Sequence, residues 1–144
     1  MTFTFDRETA LIPLGDGQYI IEASAVYRNP TGMMFGGWVA AIAAKAIEMH
    51  EECRSPLVSQ TTTYLSGVGP GEVEVSAKLL RSGASTQFWR VELSQNGSLI
   101  IAADLVSSNR RKADLEYQTA MPDALSPENS IDMHGKNPMA PAGS

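Results

Sequence analysis

Residues 35–52 read Phe35-Gly36-Gly37-Trp38-Val39-Ala40-Ala41-Ile42-Ala43-Ala44-Lys45-Ala46-Ile47-Glu48-Met49-His50-Glu51-Glu52. From Trp38 onward the stretch is dominated by alanine, the strongest helix former, and its apolar residues continue on nearly all sides until Lys45. A helix that is apolar almost all round is enclosed by other elements, not laid on a surface. The pattern therefore predicts one long buried helix over residues 38–52, entered through two glycines. Whatever surrounds it must come from the rest of the chain.

The flanking sequence supplies strands. Residues 17–25 are rich in β-formers and lie between Gly15-Asp16-Gly17 and the turn Asn29-Pro30-Thr31-Gly32. Beyond Pro56 the run Leu57–Leu65 is rich in Val, Thr and Tyr. Val73, Val75 and Ala77 then alternate with Glu72, Glu74 and Ser76. Residues 88–94 and 99–107 complete the series, joined by Asn96-Gly97, a strong short-range hairpin signal. Gly69-Pro70-Gly71 and Ser82-Gly83 punctuate the other connections, and no internal repeat is visible.

Composition sets the outer limits. The 144 residues suffice for one domain with a hydrophobic core and are short for two. A net charge of -5 gives no reason to expect nucleic acid or an anionic membrane as partner. No apolar run approaches membrane-spanning length, and the N-terminus lacks the pattern of a secretory signal, so the expected location is cytoplasmic. A single cysteine, Cys53, permits no intrachain disulfide, and no metal-binding framework is apparent. From Ala113 onward acids and four of the eight prolines collect without clear apolar periodicity. Residues 1–112 are expected to form the domain, and 113–144 a linker-like, poorly ordered tail.

The order strand, buried helix, then four strands in a row gives an α+β domain. An antiparallel sheet of about five strands needs one face covered, and the apolar helix is the only candidate. A sheet wrapped around one central helix is the hotdog architecture. An up-and-down barrel is the rival topology, but it has no room for such a helix. The local sequences agree. Met34-Phe35-Gly36-Gly37-Trp38-Val39 resembles the loop-to-helix junction of hotdog thioesterases, which carry His-Gly-Gly or Phe-Gly-Gly there. Thr63-Tyr64-Leu65-Ser66 with Pro70-Gly71, then Leu80-Arg81-Ser82-Gly83, then Ser94-Gln95-Asn96-Gly97, resemble the first half of the acyl-CoA thioesterase II (TesB-like) family. Residues 117–122 resemble the linker between that family's two hotdog halves. The resemblance covers residues 17–127 and implies an acyl-CoA or related thioester as substrate. It implies no cofactor, CoA being part of the substrate. It also implies pairing of hotdog units into a double-hotdog homodimer or higher assembly.

Thioester hydrolysis needs donors for a carbonyl oxygen that gains negative charge, and a group that activates water or attacks directly. Leading N–H groups of a helix supply the first, and Gly36 and Gly37 let a carbonyl approach without a Cβ in the way. The same two glycines would equally serve close helix–sheet packing. The resemblance adds Asn29, which fits an asparagine six residues before the junction's usual histidine, and Thr62 or Thr63 as a strand hydroxyl that orients water. Phe35 stands where that histidine often sits. Phe35, Trp38, Thr63 and Arg81 are candidates to bind the substrate; for Trp38 and Met34, core or dimer packing is the alternative. Arg110, Arg111 and Lys112 are further candidates for a CoA phosphate.

One element is missing. The relatives with His-Gly-Gly place an Asp or Glu eight residues beyond the first glycine, and that position here is Ala44. Glu48, Asp104 and Gln60 are possible substitutes, each with a solvent-facing side chain as the plain alternative. His50 and Cys53 have no partners placed for catalysis and read as helix-end residues. Three readings follow: an acyl-CoA thioesterase, a non-catalytic acyl-CoA binding protein, or a unit completed by a partner hotdog. A hotdog dehydratase would need a histidine where Phe35 stands.

Overall fold

A computed structural model describes residues 3–112 and 117–130. A short helix α1 (Thr4–Glu8) leads into strands β1 (Ile12–Gly15) and β2 (Gln18–Glu22). The long helix α2 (Gly36–Glu48) follows, and then strands β3 (Leu57–Tyr64), β4 (Glu72–Ser82), β5 (Thr86–Gln95) and β6 (Ser98–Ser108). The six strands form one antiparallel sheet in the order β1-β2-β4-β5-β6-β3. The protein is a single hotdog, with one strand more than expected from the sequence.

The extra strand is β1, Ile12-Pro13-Leu14-Gly15. Proline cannot donate to a sheet ladder and is confined to edges, and β1 is an edge strand. It pairs with β2 through a two-residue turn in which Asp16 (φ 51°) and Gly17 (φ 71°) are both left-handed. Asn96 (φ 53°) and Gly97 (φ 74°) make the same kind of turn between β5 and β6.

Alternation along β4, β5 and β6 turns Val73, Val75, Ala77, Trp89, Val91, Leu93, Ile101, Ala103 and Leu105 to one face. On that face lies α2, contributing Trp38, Val39, Ile42, Ala43, Ala46 and Ile47. Each large aliphatic chain so buried contributes roughly 1.5–3 kcal/mol, and the alanines let helix and sheet approach closely. Leu80 belongs with Glu72, Glu74 and Lys78 to the outward-facing series of β4 and is exposed, beside a bulge between Leu79 and Arg81 that leaves it outside the ladder pairing.

The helix begins two residues before the expected start and ends four before the expected finish. It begins at Gly36 because Phe35 is extended (φ -63°, ψ 131°) and its carbonyl accepts the N–H of Trp38 and of Val39. It ends early because tertiary hydrogen bonds take over. The buried Gln87 accepts the N–H of Arg54 (2.9 Å) and donates to the carbonyl of Glu52 (2.8 Å). The His50 ring accepts the N–H of Glu52 through Nδ1 (3.2 Å).

By its internal contacts the chain divides after Arg110. In the second unit Pro127–Asn129 forms a single 3-10 turn, and Tyr117, Met121 and Leu125 are exposed. Most of the tail expected over 113–144, namely residues 113–116 and 131–144, lies outside the described residues.

Candidate active site

The approach to α2 is a closed loop. The side-chain oxygen of Asn29 accepts from the backbone N–H of Thr31 (3.0 Å) and of Met33 (3.1 Å) and from the Thr31 hydroxyl (2.6 Å). Gly32, at φ +85°, allows the chain to reverse. An isolated bridge between Arg28 and Met34 and a bond from Phe35 N–H to the Tyr27 carbonyl (2.7 Å) then aim the chain into the helix. Asn29 thus holds the loop that positions the helix start, and its oxygen is already engaged there.

At the helix start the N–H groups of Gly36 and Gly37 have no acceptor among the described residues. They are the positive end of α2. The Phe35 ring folds beside Gly37 and is 60% exposed. The Tyr64 ring stands beside Gly36, and its hydroxyl donates to the Gly36 carbonyl (2.9 Å).

Strand β3 brings the remaining polar groups. Its alternation places Gln60, Thr62 and Tyr64 on the side facing α2 and Thr61 and Thr63 on the other. The Gln60 amide donates both to the Ala40 carbonyl (3.0 Å) and to the Thr62 hydroxyl oxygen (3.0 Å). Thr62 therefore keeps its own O–H free to donate. Gly36, Gly37, Gln60, Thr62 and Tyr64 come together along the first turns of α2. Tyr64, not among the candidates named from the sequence, joins this cluster and continues the two-residue period of Gln60 and Thr62.

The other candidates lie elsewhere. Trp38 is 1% exposed, and its indole N–H donates to the Glu8 carbonyl (2.7 Å), so it ties α1 to α2 within the core. Arg81 pairs with Phe88 near the Ser59–Val106 level of the sheet. That is five β3 residues, or roughly 17 Å, from the level of Tyr64. Thr63 is exposed on the sheet's outer face, where Asp104 also lies in a two-pronged pair with Arg90 (2.8 and 3.2 Å). Glu48 is at the far end of α2. It shares with Ala44 a cleft of about 310 Å³ whose other walls are Phe5, Asp6, Thr9, Ala41 and Lys45. No group of residues among those described has the makings of a metal site. No described helix is long and apolar enough to cross a membrane.

A helix held by a wrapped antiparallel sheet, with two free N–H groups at its glycine start, defines a hotdog domain of thioesterase type. Residues 25–107 match the family described as acyl-CoA thioesterase N-terminal domain, and the chain belongs to that family. No curated protein matches it. Among solved structures it is similar to a conserved protein of unknown function with a hot dog fold from Alicyclobacillus acidocaldarius. That match has 28% identity and a TM-score of 0.82, over 89% of this chain and 48% of the other. A putative thioesterase II from Thermobifida fusca shares the fold at 21% identity and a TM-score of 0.71, over 86% and 46%. A protein from Thermus thermophilus does so at 24% identity and a TM-score of 0.64, over 76% and 100%. The chain thus spans about half the length of the first two.

Proposed function

We propose that this domain binds an acyl-CoA or related thioester, with the thioester carbonyl oxygen on the N–H groups of Gly36 and Gly37. The observation that carries this is the pair of unpaired donors, free of any Cβ, at the head of a buried helix. As water adds to the carbonyl carbon the oxygen becomes an anion, and the two dipoles stabilise that charge more than the neutral carbonyl. Collapse of the adduct expels the CoA thiolate and leaves the free acid. The Thr62 hydroxyl, oriented by Gln60 and with its own O–H free, holds the water; Phe35 and Tyr64 flank the entrance.

The lack of a carboxylate at Ala44 favours a second reading, in which the domain binds the thioester and a partner hotdog supplies the acid, or no acid is supplied. Strand β3 ends the sheet, and a second unit would add to that edge. A second copy of this chain would repeat Ala44, so an acid supplied across such a pairing would come from another position; light scattering on the purified chain reports whether it pairs with itself.

Hydrolysis assays across short, medium, long and aromatic acyl-CoAs separate the two. Cleavage above background supports the enzyme. Binding that raises thermal stability without cleavage supports the carrier. Ala44→Asp should raise hydrolysis by roughly 100-fold or more if a helix carboxylate is the only absent part; an unchanged rate would mean that the site is arranged otherwise.

A further inference from the structure

The other end of α2 carries a cleft that the thioester site does not use. It has a volume of about 420 Å³ and is walled by Pro13, Gly15, Asp16 and Gly17 of the β1–β2 turn, by Tyr19, and by Met49, His50 and Glu51 just past the helix. The thirteen residues of α2 place it roughly 18 Å from Gly36.

Its walls are held in place. A β-carbon on Gly17 would lie 2.3 Å from the Ala77 carbonyl and 2.9 Å from His50 Nε2, so turn, sheet and imidazole are in close contact. The His50 ring is fixed on a second side by Trp89, edge to face at 5.0 Å, and on a third by the Glu52 N–H. Tyr19 is the unusual member. The residue is 5% exposed, yet its hydroxyl makes no hydrogen bond with any described residue. No side-chain polar atom among the described residues is fully buried without a partner, so this hydroxyl must reach the open space of the cleft. The ring is buried while its hydroxyl is open to the cleft, so a molecule bound there can take the place of water on that oxygen.

The surrounding charge selects what that is. Asp16 and Glu51 are carboxylates, and the carbonyl end of α2 adds the negative pole of the helix. No described lysine or arginine lines the cleft. Pro13 and Met49 add apolar surface beside the charged groups. Burial, and after it the charge of Glu51, raise the Tyr19 pKa, so the phenol stays protonated and neutral at physiological pH.

We propose that this cleft binds a small organic ammonium, a primary amine on a short apolar chain. Glu51 and Asp16 take the charge, the Tyr19 oxygen accepts one N–H, and the chain lies along Pro13 and Met49. The site is independent of any thioester chemistry at Gly36 and Gly37.

Titration of the full chain with pentylammonium, followed by amide NMR, tests it, with 1-pentanol and pentanoate as neutral and anionic controls of the same length. Pentylammonium should shift the signals of residues 15–19 and 49–51 saturably, and the controls should not. Glu51→Gln, a change at an exposed position, should weaken binding about tenfold, and Tyr19→Phe, which keeps the ring, by about threefold. Shifts that grow without saturating, equal binding of 1-pentanol, or an unchanged affinity in Glu51→Gln would each overturn the assignment.

Discussion

The ring of Phe35 fills the space that a side chain on Gly37 would need: a β-carbon there would lie 2.5 Å from Phe35 Cε1. The two residues share one small volume at the head of α2, and only glycine leaves both the ring and the N–H where they are. The Phe35 ring is exposed, so it can yield. Gly37→Ala should therefore fold within about 1 kcal/mol of the parent protein, because alanine's helix preference offsets the displaced ring. The displaced ring should instead obstruct the N–H groups. Acyl-CoA binding, measured by calorimetry, is expected to weaken at least tenfold while the urea midpoint hardly moves.

Gly17 is the opposite case. It stands at φ +71°, and its missing β-carbon would strike the Ala77 carbonyl, which is backbone and cannot yield. Gly17→Ala should cost more than about 2 kcal/mol, from the strained φ and the clash together. Gly97→Ala, at φ +74° but with open space around it, should cost about 1 kcal/mol. Urea unfolding of the two variants side by side checks the order; equal losses would show that φ alone decides.

Trp38→Phe removes the indole N–H and leaves the Glu8 carbonyl without its donor. The loss should be about 1–3 kcal/mol in global stability. Its local signature is faster amide exchange in α1, whose link to α2 has been cut. Exchange that stays slow there would mean that α1 is held without this bond.

The Arg90–Asp104 pair has good geometry but little weight. Both side chains are well exposed, at 41% and 60%, and water screens most of their attraction. A double-mutant cycle should return a coupling of about 0.2–1 kcal/mol that falls as salt is raised. A salt-independent coupling above that range would place the pair in a drier setting than the fold gives it.

Tyr19 gives the chain a pH signature. Its pKa lies above the ordinary value of 10.0 in the folded protein, through burial first and Glu51 second. Above pH 10 the unfolded chain loses this proton more readily than the folded one, so stability falls as pH rises there. Below that range the contribution is fully present. Tyr19→Phe should flatten the alkaline limb of the stability curve, as read from urea midpoints at successive pH values.

Much of the fold is legible in the sequence because its signals are local. Val73, Val75 and Ala77 alternate with polar residues, Asn96-Gly97 fits its turn, and the alanine run has no rival as the enclosed helix. The extent of α2 is not legible, since its end is decided by Gln87, distant in sequence. Strand β1 is hidden by Pro13, whose tolerance depends on its being at an edge. Of the site, Gly36 and Gly37 follow from the helix start. Tyr64 and the Gln60–Thr62 link do not, because only the pairing of β3 with β6 shows which face of β3 meets α2. Asn29 reads as a polar group near the site, whereas the geometry gives its oxygen to the loop.

The strand order has a kinetic side as well. Strands β4, β5 and β6 are successive hairpins and can pair as soon as each turn closes, whereas β3 precedes them in sequence and docks only against β6, the last made. During synthesis β3 must wait unpaired for some forty residues, from Tyr64 until Ser98–Ser108 emerges. Over that interval α2 lacks most of the sheet that will cover it. The site at Gly36 is thus among the last parts of the molecule to take shape, and slowing the growth of residues 98–108 would lengthen the exposure of its most apolar segment.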